Sequence, residues 1–235
     1  MLGTTLPTPL YTFYQRRFGF SELMITVIFA TYAGGVIAAL LLLGPLSDQA
    51  GRRPVLLAGL AFSALSATVF LLAGGLGPLL VGRVLSGFSA GIFTGTATAT
   101  LIDLAPPGRE GRATLVAAMA NMGGLGCGPL LAGILAQTGT LPIRLSFWVN
   151  LGLLLPALIA ILVMPEPVSR RGPIHWRPQS LAVPAPVRAI FIRAALAAFA
   201  GFAVLGLSTA VSPAFLGKVL SIKSEVVVGA VVFGV

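Results

Sequence analysis

Long runs of apolar residues, separated by short polar segments, make up most of the chain. A helix that crosses a bilayer needs about 20 mostly apolar residues. Six complete runs have that length, at residues 23–44, 54–73, 78–101, 113–136, 145–164 and 189–211. A seventh run begins near Val226 and ends with the chain at Val235. The runs are too long for barrel strands and do not alternate. The pattern predicts an all-α polytopic membrane helix bundle with six complete spans and a truncated seventh.

Composition excludes the soluble classes of protein. Of 235 residues, 57% are hydrophobic and only 9% are charged, whereas a soluble domain carries about 25% charged residues. A single cysteine, Cys127, and a single histidine, His175, provide no disulfide and no metal-ligand cluster. We expect Cys127 to be buried in its apolar run. No nucleotide-binding loop occurs, so we predict no enzymatic activity, no metal and no cofactor.

The net charge of +9 comes mainly from arginines in the short segments between apolar runs. That distribution determines membrane orientation, so nucleic-acid binding is not predicted. One set of segments holds nine basic residues: Arg52, Arg53, Arg109, Arg112, Arg170, Arg171, Arg177, Arg188 and Arg193. The other set holds five: Arg16, Arg17, Arg144, Lys218 and Lys223. The excess predicts that the first set is cytoplasmic.

The ends of the chain predict a fragment. The predicted orientation places the N-terminus outside, yet residues 1–22 form neither a signal peptide nor a span because Pro7, Pro9 and the Arg16–Arg17 pair interrupt them. The seventh run is also too short to cross a bilayer. We therefore expect a piece of a larger transporter-like protein, or a truncated gene product.

The first predicted cytoplasmic loop, residues 44–54, reads GPLSDQAGRRP. The first glycine allows close helix approach, and the second allows a sharp turn. The aspartate and two arginines form a compact charge cluster at the membrane face. A simple basic stop-transfer loop would need the arginines but neither the aspartate nor the spaced glycines. The positions that carry the pattern are Gly44, Asp48, Gly51, Arg52 and Arg53.

This spacing resembles the loop between the second and third helices of the major facilitator superfamily, with Gln49 standing where an arginine is frequent. The resemblance implies a transporter of two six-helix halves, with substrate bound between them. It also implies that the loop latches the cytoplasmic side. Asp48, Arg52 and Arg53 would then be gate residues that do not contact substrate.

Arg83 is the basic residue that lies well inside an apolar run. Intramembrane charges usually mark an ion or substrate path, although a side chain this close to the span's end also has the alternative of snorkelling to the headgroups. Residues 79–87 are similar to the family's fourth-helix pattern, which implies a role in proton transfer. Glycines 87, 91 and 95 recur every fourth residue and predict close helix packing.

The next run contains GLGCGPLLAG at residues 124–133. Pro129 lacks an N–H, so it frees a carbonyl one turn earlier and bends the helix. The segment resembles the fifth-helix motif of drug–proton antiporters, with Ala132 in place of one glycine, although any bent packing helix would share its spacing. The motif positions are Gly124, Gly128, Pro129 and Gly133, and Asn121 one turn earlier is the best polar candidate for a substrate path.

The resemblance divides the chain into an N-terminal helix bundle at 1–164 that lacks most of its first helix, a cytoplasmic linker at 165–188, and the start of a C-terminal bundle at 189–235. It implies a proton-coupled efflux transporter for small solutes or drugs in the cell membrane. Its partners would be substrate, protons, the lipid bilayer, and a missing C-terminal half or a second chain. The alternative is a truncated, non-transporting membrane protein that is inert or associates with another transporter half.

Overall fold

The computed structural model describes residues 1–44, 46–138, 143–168 and 183–218, with isolated positions 227, 230, 231 and 234. Two short helices come first, α1 (Leu2–Thr5) and α2 (Tyr11–Phe18). The longer elements are α3 (Glu22–Leu43), α4 (Leu46–Ala50), α5 (Arg52–Leu71), α6 (Leu76–Ile92), a π-helical segment (Phe93–Ala97), α7 (Thr98–Asp103), α8 (Glu110–Thr138), α9 (Arg144–Val163), a 3₁₀ turn (Ala185–Val187) and α10 (Arg188–Lys218).

Six helical segments of the described chain are long and apolar enough to cross a membrane. They are Glu22–Leu43, Arg52–Leu71, Leu76–Asp103, Glu110–Gln137, Arg144–Val163 and Ala185–Ser208. Each overlaps one predicted run, which confirms the all-α membrane architecture. The third segment is continuous from α6 through the π-helical segment to α7. Most of the seventh run and most of the predicted linker lie outside the described residues.

Helices α3 and α6 pack along the predicted glycine face. A Cβ added to Gly87 would collide with the carbonyl oxygen of Tyr32 and lie 2.9 Å from the Cα of Gly35. A Cβ on Gly91 would lie 2.7 Å from the Cβ of Ala39. Small residues therefore let the two backbones touch, as is usual where membrane helices associate through packing alone.

The segment from Thr4 to Tyr14 passes through the middle of this bundle rather than along its edge. Leu6, Leu10, Tyr11 and Tyr14 are buried and form one core cluster with side chains from α3, α5, α6, α8 and α9. The Tyr14 hydroxyl donates to the Phe70 carbonyl oxygen at 3.3 Å. The prolines limit this segment to short helical pieces, but its apolar and aromatic side chains still belong to the core.

Two parts of the surface stand apart from that core. The described side chains of α10 from residue 188 to 207 are exposed. Cys127 is exposed on α8, so the expectation that it is buried is wrong. Cys127 faces outward because α8 turns Gly124 and Gly128, not its cysteine, toward the bundle.

Candidate functional site

Arg52, at the start of α5, is the centre of a charged network at the predicted cytoplasmic end. Its Nη1 lies 2.7 Å from Asp48 Oδ1 and donates to Ser47 Oγ at 2.7 Å. Its Nε donates to Asp103 Oδ2, at the end of α7, at 2.9 Å. The arginine side chain is 10% exposed, whereas the side chain of Asp48 is 67% exposed. One buried guanidinium thus joins the loop after α3 to the end of α7.

Glu166, just beyond α9, closes the same network from the other side. Its two carboxylate oxygens accept the backbone N–H groups of Arg52 and Arg53 at 2.8 and 2.9 Å. These N–H groups belong to the first turn of α5, where the helix dipole favours a negative charge. Gly51 has φ +101°, and a Cβ there would lie 2.8 Å from Glu166 Oε2. Glycine at this position therefore permits both the turn and the approach of the carboxylate.

The structure brings most of the predicted gate residues together. Asp48 and Arg52 form an ion pair, and Gly51 contacts Glu166. The Arg53 guanidinium points elsewhere and donates to the carbonyl oxygen of Leu162 at 2.5 Å. Sequence reasoning missed the part played by Glu166. An acid directly after the last apolar residues of a span, on the same membrane face as the arginine pair, was the available signal.

A cavity of about 410 Å³ adjoins this network. Gly44, Ser47, Asp48 and Arg52 form its polar and charged side, and mainly apolar residues of α3, α6, the π-helical segment and α7 form the rest. The exposed Asp48 carboxylate is therefore available to a group that enters from outside the described bundle, while Arg52 is held by its partners.

Arg83 on α6 lies in a very different environment. It is 1% exposed, its Nε donates to the Tyr11 hydroxyl, and its Nη1 donates to the Thr4 carbonyl oxygen at 2.5 Å. Its Cζ lies 5.1, 5.1 and 5.4 Å from the ring centroids of Tyr11, Phe29 and Tyr32. The alternative in which Arg83 snorkels to the headgroups is wrong, because the N-terminal segment and three rings enclose the guanidinium.

The charge of Arg83 has no carboxylate partner among the described residues. Its Nη2 is buried without a hydrogen-bond acceptor there. The ring faces supply the negative potential that an acid would otherwise supply. Sequence reasoning found Arg83 but not this cage, because two of its members, Thr4 and Tyr11, come from the segment interpreted only as an interruption.

The glycine–proline segment of α8 receives the start of the chain. Cβ atoms added to Gly124 or Gly128 would collide with residues 1–6, and Gly133 is buried one turn further on. Pro129 leaves the carbonyl of Leu125 without its helical donor. The Thr5 hydroxyl donates to that carbonyl at 2.7 Å. The free carbonyl predicted from Pro129 is therefore satisfied by a side chain of α1.

Asn121 lines a second cavity of about 310 Å³. Thr94 and Thr98 line the same cavity, with Met1 and Leu2 of the N-terminal segment as another wall. The Asn121 Oδ1 atom is buried and has no hydrogen-bond partner among the described residues. The π-helical segment separates the two cavities, since Gly95 and Thr96 face the first and Thr94 and Ala97 the second. Such π-helical turns are common at functional sites, and the sequence had not predicted this one.

Within the described residues, no group of three or more His, Cys, Asp or Glu side chains is arranged to hold a metal ion. The candidate sites of the described bundle are therefore the Arg52 network, the Arg83 cage and the Asn121 cavity.

Comparison with known families matches the whole chain, residues 1–235, to the model described as Major Facilitator Superfamily. Among similar proteins, an uncharacterized MFS-type transporter of Methanocaldococcus jannaschii is 27% identical over 154 residues, covering 66% of this chain and 40% of that protein. A triacylglyceride transporter of Mycobacteroides abscessus is 33% identical over 144 residues, covering 58% of this chain and 26% of that protein.

The multidrug resistance protein MdtL of Escherichia coli is 30% identical over 131 residues, covering 54% of this chain and 32% of that protein. The matched part of this chain thus spans two fifths or less of the length of each of these relatives. The similarity concerns one part of a longer type of protein.

Proposed function

This chain belongs to the major facilitator superfamily, and from that premise we propose that it forms the N-terminal part of a proton-coupled efflux transporter for small solutes or drugs. The transporter works by alternating access in the cell membrane. It requires a C-terminal half, supplied by further residues of the same protein or by a second chain. Residues 165–188 are the cytoplasmic linker between the halves in this proposal.

The Arg52 network is the observation that carries the proposal. Arg52 is fixed by Asp103 and by the loop, while Asp48 keeps most of its carboxylate exposed beside the first cavity. An exposed acid on a rigid arginine support is suited to bind and release the opposite half of a transporter. Gly44, Gly51 and Glu166 give this gate its turn and its connection to α9.

The direction of transport and the coupling ion rest on two further observations. Arg83 carries a buried charge on a helix that runs on to the second cavity, and it is the proposed proton-linked residue. The glycine–proline segment of α8 resembles the antiporter motif and is held at its free carbonyl by Thr5. The multidrug resistance relative favours efflux, and the triacylglyceride transporters favour apolar cargo.

The test is dye efflux from cells that express the complete gene. Three fluorescent dyes of different charge are loaded: neutral Nile red, cationic ethidium and anionic fluorescein. We expect faster loss of at least one dye than in cells without the gene, and collapse of that difference when a protonophore removes the proton gradient. Asp48→Ala should reduce the efflux rate tenfold or more at unchanged protein level, because the gate loses its exposed acid.

Glu110→Gln is the matched control, since Glu110 is an exposed acid at the start of another span and its carboxylate bonds to the nearby backbone N–H groups of Gly108 and Glu110. This variant should transport normally. Efflux that persists in Asp48→Ala would refute the gate assignment. Absence of efflux for all three dyes, with the complete protein in the membrane, would count against the transporter proposal and favour a non-transporting protein.

A further inference from the structure

We propose that the Asn121 cavity binds an uncharged, amphipathic solute through a hydrogen-bond donor, such as a hydroxyl or N–H group, that donates to Asn121 Oδ1. This inference rests on the proposed transport function, because it names the class of solute that the transporter carries. The cavity lies between α8, the π-helical segment with α7, and the first two residues of the chain.

The unsatisfied oxygen of Asn121 is the first step. It is buried, yet it accepts no hydrogen bond from any described residue. Buried acceptors in folded proteins nearly always have a partner. A carboxamide oxygen accepts and does not donate, so the group that completes this site must bring an O–H or N–H.

The rest of the lining explains why the solute is uncharged. None of the described residues that line the cavity has a charged side chain. A charged solute would lose its hydration here without gaining an opposite charge.

The cavity also has the shape and surface for an apolar body. Its volume of about 310 Å³ is at the lower end of the range for small-molecule sites. Phe93, Ala97 and Leu101 line one wall, and Thr94 and Thr98 add hydroxyl groups that both donate and accept. A compact aromatic or aliphatic body with one polar group matches this distribution.

The test compares probes that share one naphthalene ring and differ in one group. 2-Naphthol has a donor, 2-methoxynaphthalene lacks it, 2-naphthoate is anionic, and 2-naphthyltrimethylammonium is cationic. Binding to the full chain in lipid nanodiscs is measured relative to empty nanodiscs. We expect 2-naphthol to bind roughly fivefold to tenfold tighter than the ether, as one net hydrogen bond provides, and both charged probes to bind more weakly than the ether.

Variants test whether Asn121 causes the difference in affinity between naphthol and its ether. Asn121→Leu should reduce the naphthol-to-ether ratio to about one, and Asn121→Asp should instead raise binding of the cationic probe. Because Asn121→Asp nearly preserves the side-chain shape, it keeps the proposal testable if the leucine variant does not fold. Thr114→Val is the control on the same helix, since the Thr114 hydroxyl is exposed and bonds only to the Glu110 carbonyl. It should leave all four affinities unchanged.

Equal binding of naphthol and its ether by the wild-type chain, or an unchanged ratio in Asn121→Leu, would overturn the proposal even if cells export a dye. The predicted ratios combined with no efflux of any dye or naphthalene probe would support the site and refute the transport function. The solute site and the transport function can therefore be refuted independently of each other.

Discussion

Arg52 and Arg83 are both buried arginines, but the bundle compensates their charges in opposite ways. Arg52 lies at the predicted cytoplasmic face and has two carboxylate partners within 3 Å. Arg83 lies inside the bundle among three aromatic rings, a hydroxyl and a carbonyl, with no acid partner in the described part of the chain. The first site has more acids than its arginine neutralises, and the second keeps a net positive charge.

This difference suggests a division of labour between the two ends of the bundle. Asp48 is largely exposed, so its carboxylate is open to water and other charges while it pairs with Arg52, which would suit the proposed gate. Cation–π contacts and neutral acceptors hold a charge that water cannot easily reach. The Arg83 site therefore suits a fixed charge that influences anything titratable brought near it.

Reversing the charge of each arginine should give the largest difference in stability between the two sites. In Arg83→Glu, a carboxylate would lie against the negative faces of three rings and beside a carbonyl oxygen. Loss of about 3–5 kcal/mol is expected for an uncompensated buried charge, and little folded protein should be recovered. Arg52→Glu breaks two ion pairs and places a third carboxylate beside Asp48 and Asp103, but these two acids are partly exposed and water screens their repulsion, so we expect a smaller loss than in Arg83→Glu.

The measurement is the yield of monodisperse protein and its thermal midpoint in detergent. Arg17→Glu serves as the control, because Arg17 is exposed and its guanidinium lies over the face of Phe18. It should resemble the wild type. Similar yields for the two reversed arginines would show that the aromatic cage does not differ energetically from the ion-pair network.

Glu166 provides a second test of the Arg52 network. Its two oxygens accept two backbone N–H groups at the start of α5. Glu166→Gln removes the charge and leaves a single accepting oxygen, so the loss should be about 1–2 kcal/mol. The thermal midpoint should fall, and salt should narrow the difference from wild type. Glu110→Gln should lower the thermal midpoint far less. An equal fall in both variants would contradict a special role for the two bonds from α5 to Glu166.

The sequence predicted the spans well because length and hydropathy alone determine them. It also identified Asp48, Arg52 and Arg83, since charges at a membrane face or inside a span are conspicuous. It did not predict the partners of these residues. Glu166 lies more than 100 residues from Arg52, and such pairings depend on tertiary packing rather than on local pattern.

Residues 1–18 show most clearly what could not be predicted from the sequence. Residues 1–18 are too polar and too rich in proline to resemble a span, yet they supply Thr4 and Tyr11 to Arg83 and Thr5 to the carbonyl freed by Pro129. Hydropathy averages over a window and does not register single polar atoms that match buried partners. The Pro129 carbonyl was predictable, but its donor was not.

The smallest expected effect isolates one bond of the Arg83 cage. Tyr11→Phe keeps the ring beneath the guanidinium and removes only the hydroxyl that accepts from Arg83 Nε. Loss of the neutral acceptor from a buried hydrogen bond with a charged donor costs about 1–3 kcal/mol, but the remaining ring contacts and the Thr4 carbonyl keep the arginine in place. We therefore expect the lower end, a fall of a few degrees in thermal midpoint.

Tyr14→Phe is the matched variant, because Tyr14 is equally buried and its hydroxyl makes a longer bond to the neutral carbonyl of Phe70. If the Tyr11 hydroxyl acts by stabilising the charge of Arg83, Tyr11→Phe should lower both the thermal midpoint and the efflux rate. Tyr14→Phe should lower the midpoint slightly and leave the efflux rate unchanged. Equal effects on both readouts would mean that the rings alone hold Arg83, and that the hydroxyl contributes only as any buried polar group does.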